Sequence, residues 1–199
     1  MNTQAKYELP GQYVPCKLSR KILKGMASAL DPDGLRLYSR CIGIKNGKAC
    51  VTNGFDAAWW ESESFKGYEC QLDSDIFPIA GIKFPDWEHC IPKVGTALEN
   101  AKAIVDLMAC YKTPKKDIRY PRKPFLAVRG GKVTLEMGIQ KDADACFDPT
   151  VLAKFLKTVP VDLLPSSALL CGDKERLQIS FGEQADFKVL IVAVKMPED

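Results

Sequence analysis

Between Lys112 and Arg129 the chain carries seven cations, Lys112, Lys115, Lys116, Arg119, Arg122, Lys123 and Arg129, against one acid, Asp117. Such a cluster can neutralise phosphates or another polyanion, but it neither makes nor breaks bonds. The net charge of the whole chain is only +3, so attraction for nucleic acid must come from local distribution. Sets of residues suited to covalent chemistry are thin. The single histidine, His89, precedes Cys90, and neighbours in an extended segment point to opposite faces, so they do not make a nucleophile–base pair. The acid pairs Glu61 and Glu63, Asp73 and Asp75, and Asp142 and Asp144 lie in polar, turn-like stretches where solvated carboxylates are expected. Gly130-Gly131-Lys132 lacks the upstream glycine and the following hydroxyl of a phosphate loop. There are eight cysteines, and the nearest pair, Cys41 and Cys50, is nine positions apart. With one histidine they build no zinc site, and they are expected to be reduced and packed in the interior. The expectation is a protein that is not an enzyme and uses no metal or cofactor.

The elements that must position these residues show an internal repeat. Residues 44–54 read IKNGKACVTNG and residues 128–138 read VRGGKVTLEMG. Asn46-Gly47 and Gly130-Gly131 both suit a two-residue hairpin turn, which needs positive φ at both positions. Leu37, Cys41, Ile42 and Ile44 are strand-like before the first turn; Phe125, Leu126 and Val128 are so before the second. Upstream of each lies an amphipathic helix. In the first, Leu18, Ile22, Met26 and Leu30 recur every four residues, with Ser19 as N-cap and a strand, YVPCKL, leading in. In the second, Leu98, Ala101, Val105 and Met108 make the apolar stripe, with Thr96 as N-cap. Residues 145–159 read as a strand end followed by a third helix over 149–159, with Asp148 as N-cap and Pro149 at its first position, both favoured where amides have no helical partner. A fourth start at 69–81 is cut short by Pro78 and Gly81. Three strand-like runs follow, Ala168–Cys171, Leu177–Phe181 and Phe187–Val194. The fold class is α+β, built from duplicated helix-plus-antiparallel-sheet modules rather than a doubly wound sheet.

Length and composition agree with this. The chain has 199 residues, 46% hydrophobic and 27% charged, enough for one large domain or two small ones. The run Val189–Val194 is far too short to cross a membrane, and MNTQAKYELPGQYVP has no apolar signal core, so the chain reads as cytoplasmic.

At the junction of the two halves stands Phe84-Pro85-Asp86-Trp87-Glu88-His89-Cys90-Ile91-Pro92, a stiff connector with an aromatic anchor. This phrase resembles the one that separates domains in bacterial DNA polymerase sliding clamps (beta subunit). The ending KVLIVAVKMPED, with Met196-Pro197, is similar to the close of a clamp chain. The resemblance implies a DNA-clamp-like fold in a shortened, phage-encoded protein, with a shortened domain at 1–92 and a full domain at 93–199. It implies a DNA-associated processivity or scaffold factor that acts as a homo-oligomer around double-stranded DNA and recruits polymerase or other replication proteins. It also implies phosphate-facing cations on the helices, here Lys17, Arg20, Lys21 and Lys24 on the first, Lys102 on the second, and Lys154 and Lys157 on the third, with Lys112, Lys115 and Lys116 extending the surface. A partner-binding pocket would involve Val192, Val194, Met196 and Pro197. The alternative is a clamp-derived interaction module that binds or inhibits a replication factor without encircling DNA.

Overall fold

The computed structural model describes residues 17–92, 94–98, 100–112, 123–172 and 174–194, with the side chains of residues 17–19 and 90 outside that set. The first element, α1 (Lys17–Ala27), buries Ile22, Leu23 and Met26 and exposes Arg20, Lys21 and Lys24. It is already helical at Ser19, so Ser19 is not its N-cap, and Lys17 and Leu18 are helix rather than the expected strand. The remainder of that strand, 13–16, lies outside the described residues. Leu37 is not in a strand either. It begins a single 3-10 turn, Leu37–Arg40, and is 57% exposed.

The hairpin of β1 (Ile42–Lys45) and β2 (Lys48–Thr52) turns at Asn46 and Gly47, with φ of 51° and 77°. Then come β3 (Ala57–Glu61), β4 (Cys70–Leu72) and β5 (Pro78–Ile79), with no helix over 69–81: Asp73 instead accepts from the amides of Asp75 and Phe77 to close a turn. The second half opens with β6 (Gly95–Ala97), which contains Thr96. The cap of α2 (Ala101–Cys110) is Asn100, whose side chain accepts from the Ala103 amide at 3.1 Å. A second hairpin, β7 (Pro124–Arg129) and β8 (Lys132–Met137), turns at Gly130 and Gly131 with φ of 53° and 85°. After β9 (Ala145–Phe147), Asp148 caps α3 (Pro149–Leu156) as expected, accepting from the Thr150 amide. The chain ends in β10 (Pro165–Cys171), β11 (Arg176–Phe181) and β12 (Phe187–Val192).

The strands form a nine-stranded sheet, β5-β4-β1-β2-β3-β12-β11-β10-β6, and a three-stranded sheet, β8-β7-β9. The large sheet contains two runs of the same order, β4-β1-β2-β3 and β6-β10-β11-β12, joined antiparallel where Ala57 to Trp60 of β3 meet Phe187 to Leu190 of β12. The small sheet repeats the order as β9-β7-β8 and stops one strand short. Lys17 and Ala101, which open α1 and α2, are 84 positions apart, and so are Asn46 and Gly130. From Cys70 of β4 to Ala145 of β9 the offset is 75, the deficit being the strand that would correspond to β3.

One continuous core joins all three helices to both sheets, from Leu23 and Met26 through Trp60 and Phe155 to Phe187. The opposite face of the large sheet is covered by the connector, where Trp87 lies against Trp59 with ring centroids 5.6 Å apart. Gly43 is needed beneath it, because a Cβ there would come within 2.6 Å of the Phe84 ring. Glu88 accepts from Lys48 Nζ and Asn46 Nδ2, both at 2.8 Å, tying the connector to the first hairpin. Cys41, Cys50, Cys146 and Cys171 are buried and free, Cys70 is half-buried, and Cys110 is exposed at the end of α2, against the expectation of burial. No helix among the described residues is long and apolar enough to cross a membrane.

Candidate functional site

Two surfaces hold the residues with functional potential. The first is the polar face of the helices. The helices α1 and α3 sit on the same side of the large sheet, because both contribute to the core on that face. Their C-terminal ends meet: a Cβ at Gly25 would stand 3.3 Å from the Thr158 carbonyl oxygen, just beyond α3. Arg20, Lys21 and Lys24 are exposed, as is Lys157, while Lys154 is half-buried. None of these five forms an ion pair with another described residue. The sequence of α1, KLSRKILKGMA, contains no acid beside Arg20, Lys21 and Lys24, and Lys154 lies within electrostatic reach of Asp56.

The other expected cations are placed differently. Lys102 is held by Asp106 one turn on, at 2.6 Å. Lys112 is exposed beyond the end of α2. In the basic stretch, Lys123 bonds the α3 cap Asp148 at 2.6 Å, and Arg129 is bound by both Glu136 and Asp142. Lys115 and Lys116 lie outside the described residues, and so does the side chain of Lys17. Asp142 is exposed, as expected of a solvated acid, and Asp144 is half-buried, but both are ion-paired. The Arg129 guanidinium holds Asp142 below the usual carboxylate range, and Lys174 at 2.5 Å does the same for Asp144, which also accepts from the Gly130 amide. His89 lies in a 3-10 turn, Trp87–Cys90, not in an extended segment, and faces Asp86 at 3.0 Å.

The second surface is a cavity of about 240 Å³ where the halves join. Its floor is Trp59, Leu190 and Val192; its walls are Phe55 and Tyr38 on one side and Pro85, Trp87 and Ile91 of the connector on the other, with Glu175 and Arg176 at the rim. The turn between β2 and β3 is locked by side chains. Thr52 Oγ1 donates to the Asp56 carbonyl at 2.7 Å and accepts from the Gly54 amide, and Asn53 Oδ1 accepts from the amides of Phe55 and Asp56. The buried Asp56 carboxylate accepts from the Val192 amide at 2.9 Å and from Asn53 Nδ2 at 2.7 Å, clipping β12 to that turn. Burial pushes the Asp56 carboxyl up, and these two hydrogen bonds oppose the shift.

Val192 therefore lines the cavity. Val194 does not: it packs on Phe125, Ala127 and Cys146 of the small sheet, and its amide donates to the Cys146 carbonyl at 2.8 Å. Met196 and Pro197 lie outside the described residues. Trp59, Phe55 and Arg176 were not anticipated as site residues.

No protein-family model matches the sequence, and no curated protein matches it in sequence. Solved structures do match the fold. They include the DNA polymerase III subunit beta of Pseudomonas aeruginosa, with a TM-score of 0.60 at 11% identity over 89% of this chain and 65% of that one. The subunit beta of Borrelia burgdorferi gives 0.62 at 11% identity over 89% of this chain and 61% of that one. The beta sliding clamp of C. crescentus gives 0.58 at 15% identity over 88% and 63%. This chain thus spans 61 to 65% of the length of these clamp chains.

Proposed function

We propose that this chain, whose fold is that of the bacterial sliding clamps, is a shortened clamp-like protein. In this reading it associates with double-stranded DNA as a homo-oligomer and acts in the cytoplasm as a processivity or scaffold factor, not as an enzyme. Residues 1–92 are its shortened unit and 93–199 its fuller one. The observation that carries the reading is the group of cations Arg20, Lys21, Lys24, Lys154 and Lys157, which make no ion pair with another described residue, on helices that share one side of the sheet. Lysine and arginine presented without hydrogen-bonding bases suit phosphates regardless of sequence, which a sliding protein requires. The cavity at Trp59, Trp87 and Val192 is the docking place for a polymerase or another replication protein, an apolar, aromatic-lined cleft with a few polar groups at the rim.

The test is binding to a labelled duplex of scrambled sequence at rising salt, with retention on a circular against a linear plasmid. Expected are sequence-independent binding that falls by orders of magnitude between roughly 50 and 200 mM salt, and retention on the circle alone. A monomer with no salt-sensitive binding overturns the proposal.

The cavity also favours a second reading. An interaction module could engage a replication factor through it without encircling DNA; Trp59→Ala would then abolish partner capture while reversal of Lys21 and Lys24 left it intact.

A further inference from the structure

The cavity wall made by Tyr38 and Phe55 has a cation fixed against it. Residues 31–40, ahead of β1, are closed by their own hydrogen bonds. The Asp31 amide donates to the Ser39 carbonyl at 2.9 Å, Ser39 Oγ donates to the Arg36 carbonyl at 2.7 Å, and Arg40 Nε donates to the Gly34 carbonyl at 2.8 Å. A side chain at Gly34 would break this closure, since its Cβ would stand 2.2 Å from Ser39 Oγ. A loop tied in this way has little freedom left to lose, so it presents Arg36 in one orientation before anything binds.

The Arg36 side chain is held as firmly as its backbone. The guanidinium carbon lies 5.0 Å from the centroid of the Phe55 ring, and Nη1 donates to Tyr38 Oη at 2.9 Å. Gly54 leaves room for both groups, because a Cβ there would fall 2.1 Å from Arg36 Nη1 and 2.5 Å from Tyr38 Oη. Tyr38 is held in turn by the connector, its ring edge-on to Phe84 at 6.4 Å. Arg36 makes no ion pair with another described residue, and no described residue accepts from its Nε–Nη2 edge. That edge is the fork that takes both oxygens of a carboxylate. Around it Leu35, Leu37 and Phe55 are 99%, 57% and 66% exposed, so a cation without an acid stands in an apolar frame that begins inside the cavity.

We propose that Arg36 determines the specificity of the cavity, and that its occupant is an acidic peptide segment of a partner protein, with an apolar or aromatic side chain in the cavity and an aspartate or glutamate beside it on Arg36. This inference rests on the reading of the cavity as a docking place and adds the charge of what docks. The other charges at the rim agree with it. Asp86 faces His89, Arg176 is engaged within the fold, and Glu175 repels an acid, so Arg36 is where a carboxylate is accepted. A phosphate would also suit the fork, but the cavity lies on the connector face of the large sheet and the cationic helices lie on the other. A duplex held by α1 and α3 therefore does not reach Arg36.

The test is a random dodecapeptide library displayed on phage and panned on the full chain, on Arg36→Gln and on Arg36→Glu. Both variants change an exposed side chain and should keep the circular dichroism spectrum and melting temperature of the wild type. The wild type should enrich peptides that carry an aspartate or glutamate within about two residues of an apolar or aromatic one. Arg36→Gln should keep the apolar residue and lose the acid, and Arg36→Glu should select lysine or arginine in its place. In a synthetic copy of an enriched peptide, replacing its acid by the matching amide should weaken binding to the wild type by about three- to tenfold and to Arg36→Gln by less than about twofold. Enriched peptides without an acid, or an acid that persists on Arg36→Glu, overturn this inference and leave the docking reading standing. Duplex affinity that falls with Arg36→Glu overturns it too, since the cation would then serve phosphate. A library from which the wild type enriches nothing removes the docking reading and this inference together.

Discussion

A few side chains fix the connector to the sheet, and their energetics are simple enough to predict. The Lys48 hydrogen bond, reinforced by Asn46, holds the Glu88 carboxyl below its ordinary range. A carboxylate with a lowered folded-state pKa stabilises the fold above its unfolded value, near about 4.3, and that contribution disappears as pH falls through the folded value. Glu88→Gln should therefore lower the melting temperature at pH 7 and flatten its decline in acid, so that the two melting curves converge once the pH has fallen below the folded-state value. Parallel curves would exclude this role for Glu88. Gly43 makes the complementary case in sterics. Gly43→Ala drives a methyl into the Phe84 ring and should cost roughly 1–3 kcal/mol in urea denaturation. Combining it with Phe84→Ala should cost less than the sum of the two, because the second change removes the clash caused by the first.

For elements, the prediction concerns which helical cations count. A double reversal, Lys21→Glu with Lys24→Glu, should weaken duplex binding and reduce the slope of log affinity against log salt by about 0.9 for each phosphate that is no longer neutralised. Lys102→Glu should change the slope little, since Asp106 already neutralises Lys102 on α2. Equal effects from both helices would remove the distinction. Local chemistry made much of this legible beforehand. Asp148-Pro149 marks a helix start through orphan amides, and both glycine-containing turns mark hairpins through positive φ. Ser19 and Thr96 misled because a capping residue type says nothing about where a preceding strand or an earlier turn of helix places it; Asn100 wins by its register with Ala103. The strand β3, AAWWE, was illegible because both its faces are buried, Trp59 beneath the connector and Trp60 in the main core, so it has no alternating polarity. The cavity was half visible, through Val192 and the Pro-Asp-Trp phrase. Its floor exists only where β3 meets β12, a pairing across about 130 positions that no local pattern encodes.

At the scale of the whole molecule, the β3–β12 junction decides whether the two halves are independent. The interior is continuous from α1 to α3, and four cross-strand pairs, Phe187 with Trp60 through Leu190 with Ala57, run through its centre. Asp56 adds a buried clip from one half to the Val192 amide of the other. Separating the halves would strip both neighbours' edges of hydrogen bonds and open Trp59, Phe187 and Leu190 to water, at a cost of several kcal/mol on the scale of about 1.5–3 kcal/mol per large side chain. That approaches the whole stability of a typical domain, so the chain should unfold in one cooperative step. Calorimetry should return equal van't Hoff and calorimetric enthalpies, and Asp56→Ala, which leaves the Val192 amide without its acceptor, should shift that single transition down by about 1–3 kcal/mol without splitting it. Residues 93–199 produced alone should expose the β12 edge and bind an apolar dye, whereas co-expression with 1–92 should suppress that binding. Two separable transitions in the intact chain would mean that the junction is a contact between finished domains, and the matching order of strands on its two sides would then reflect docking rather than a shared core.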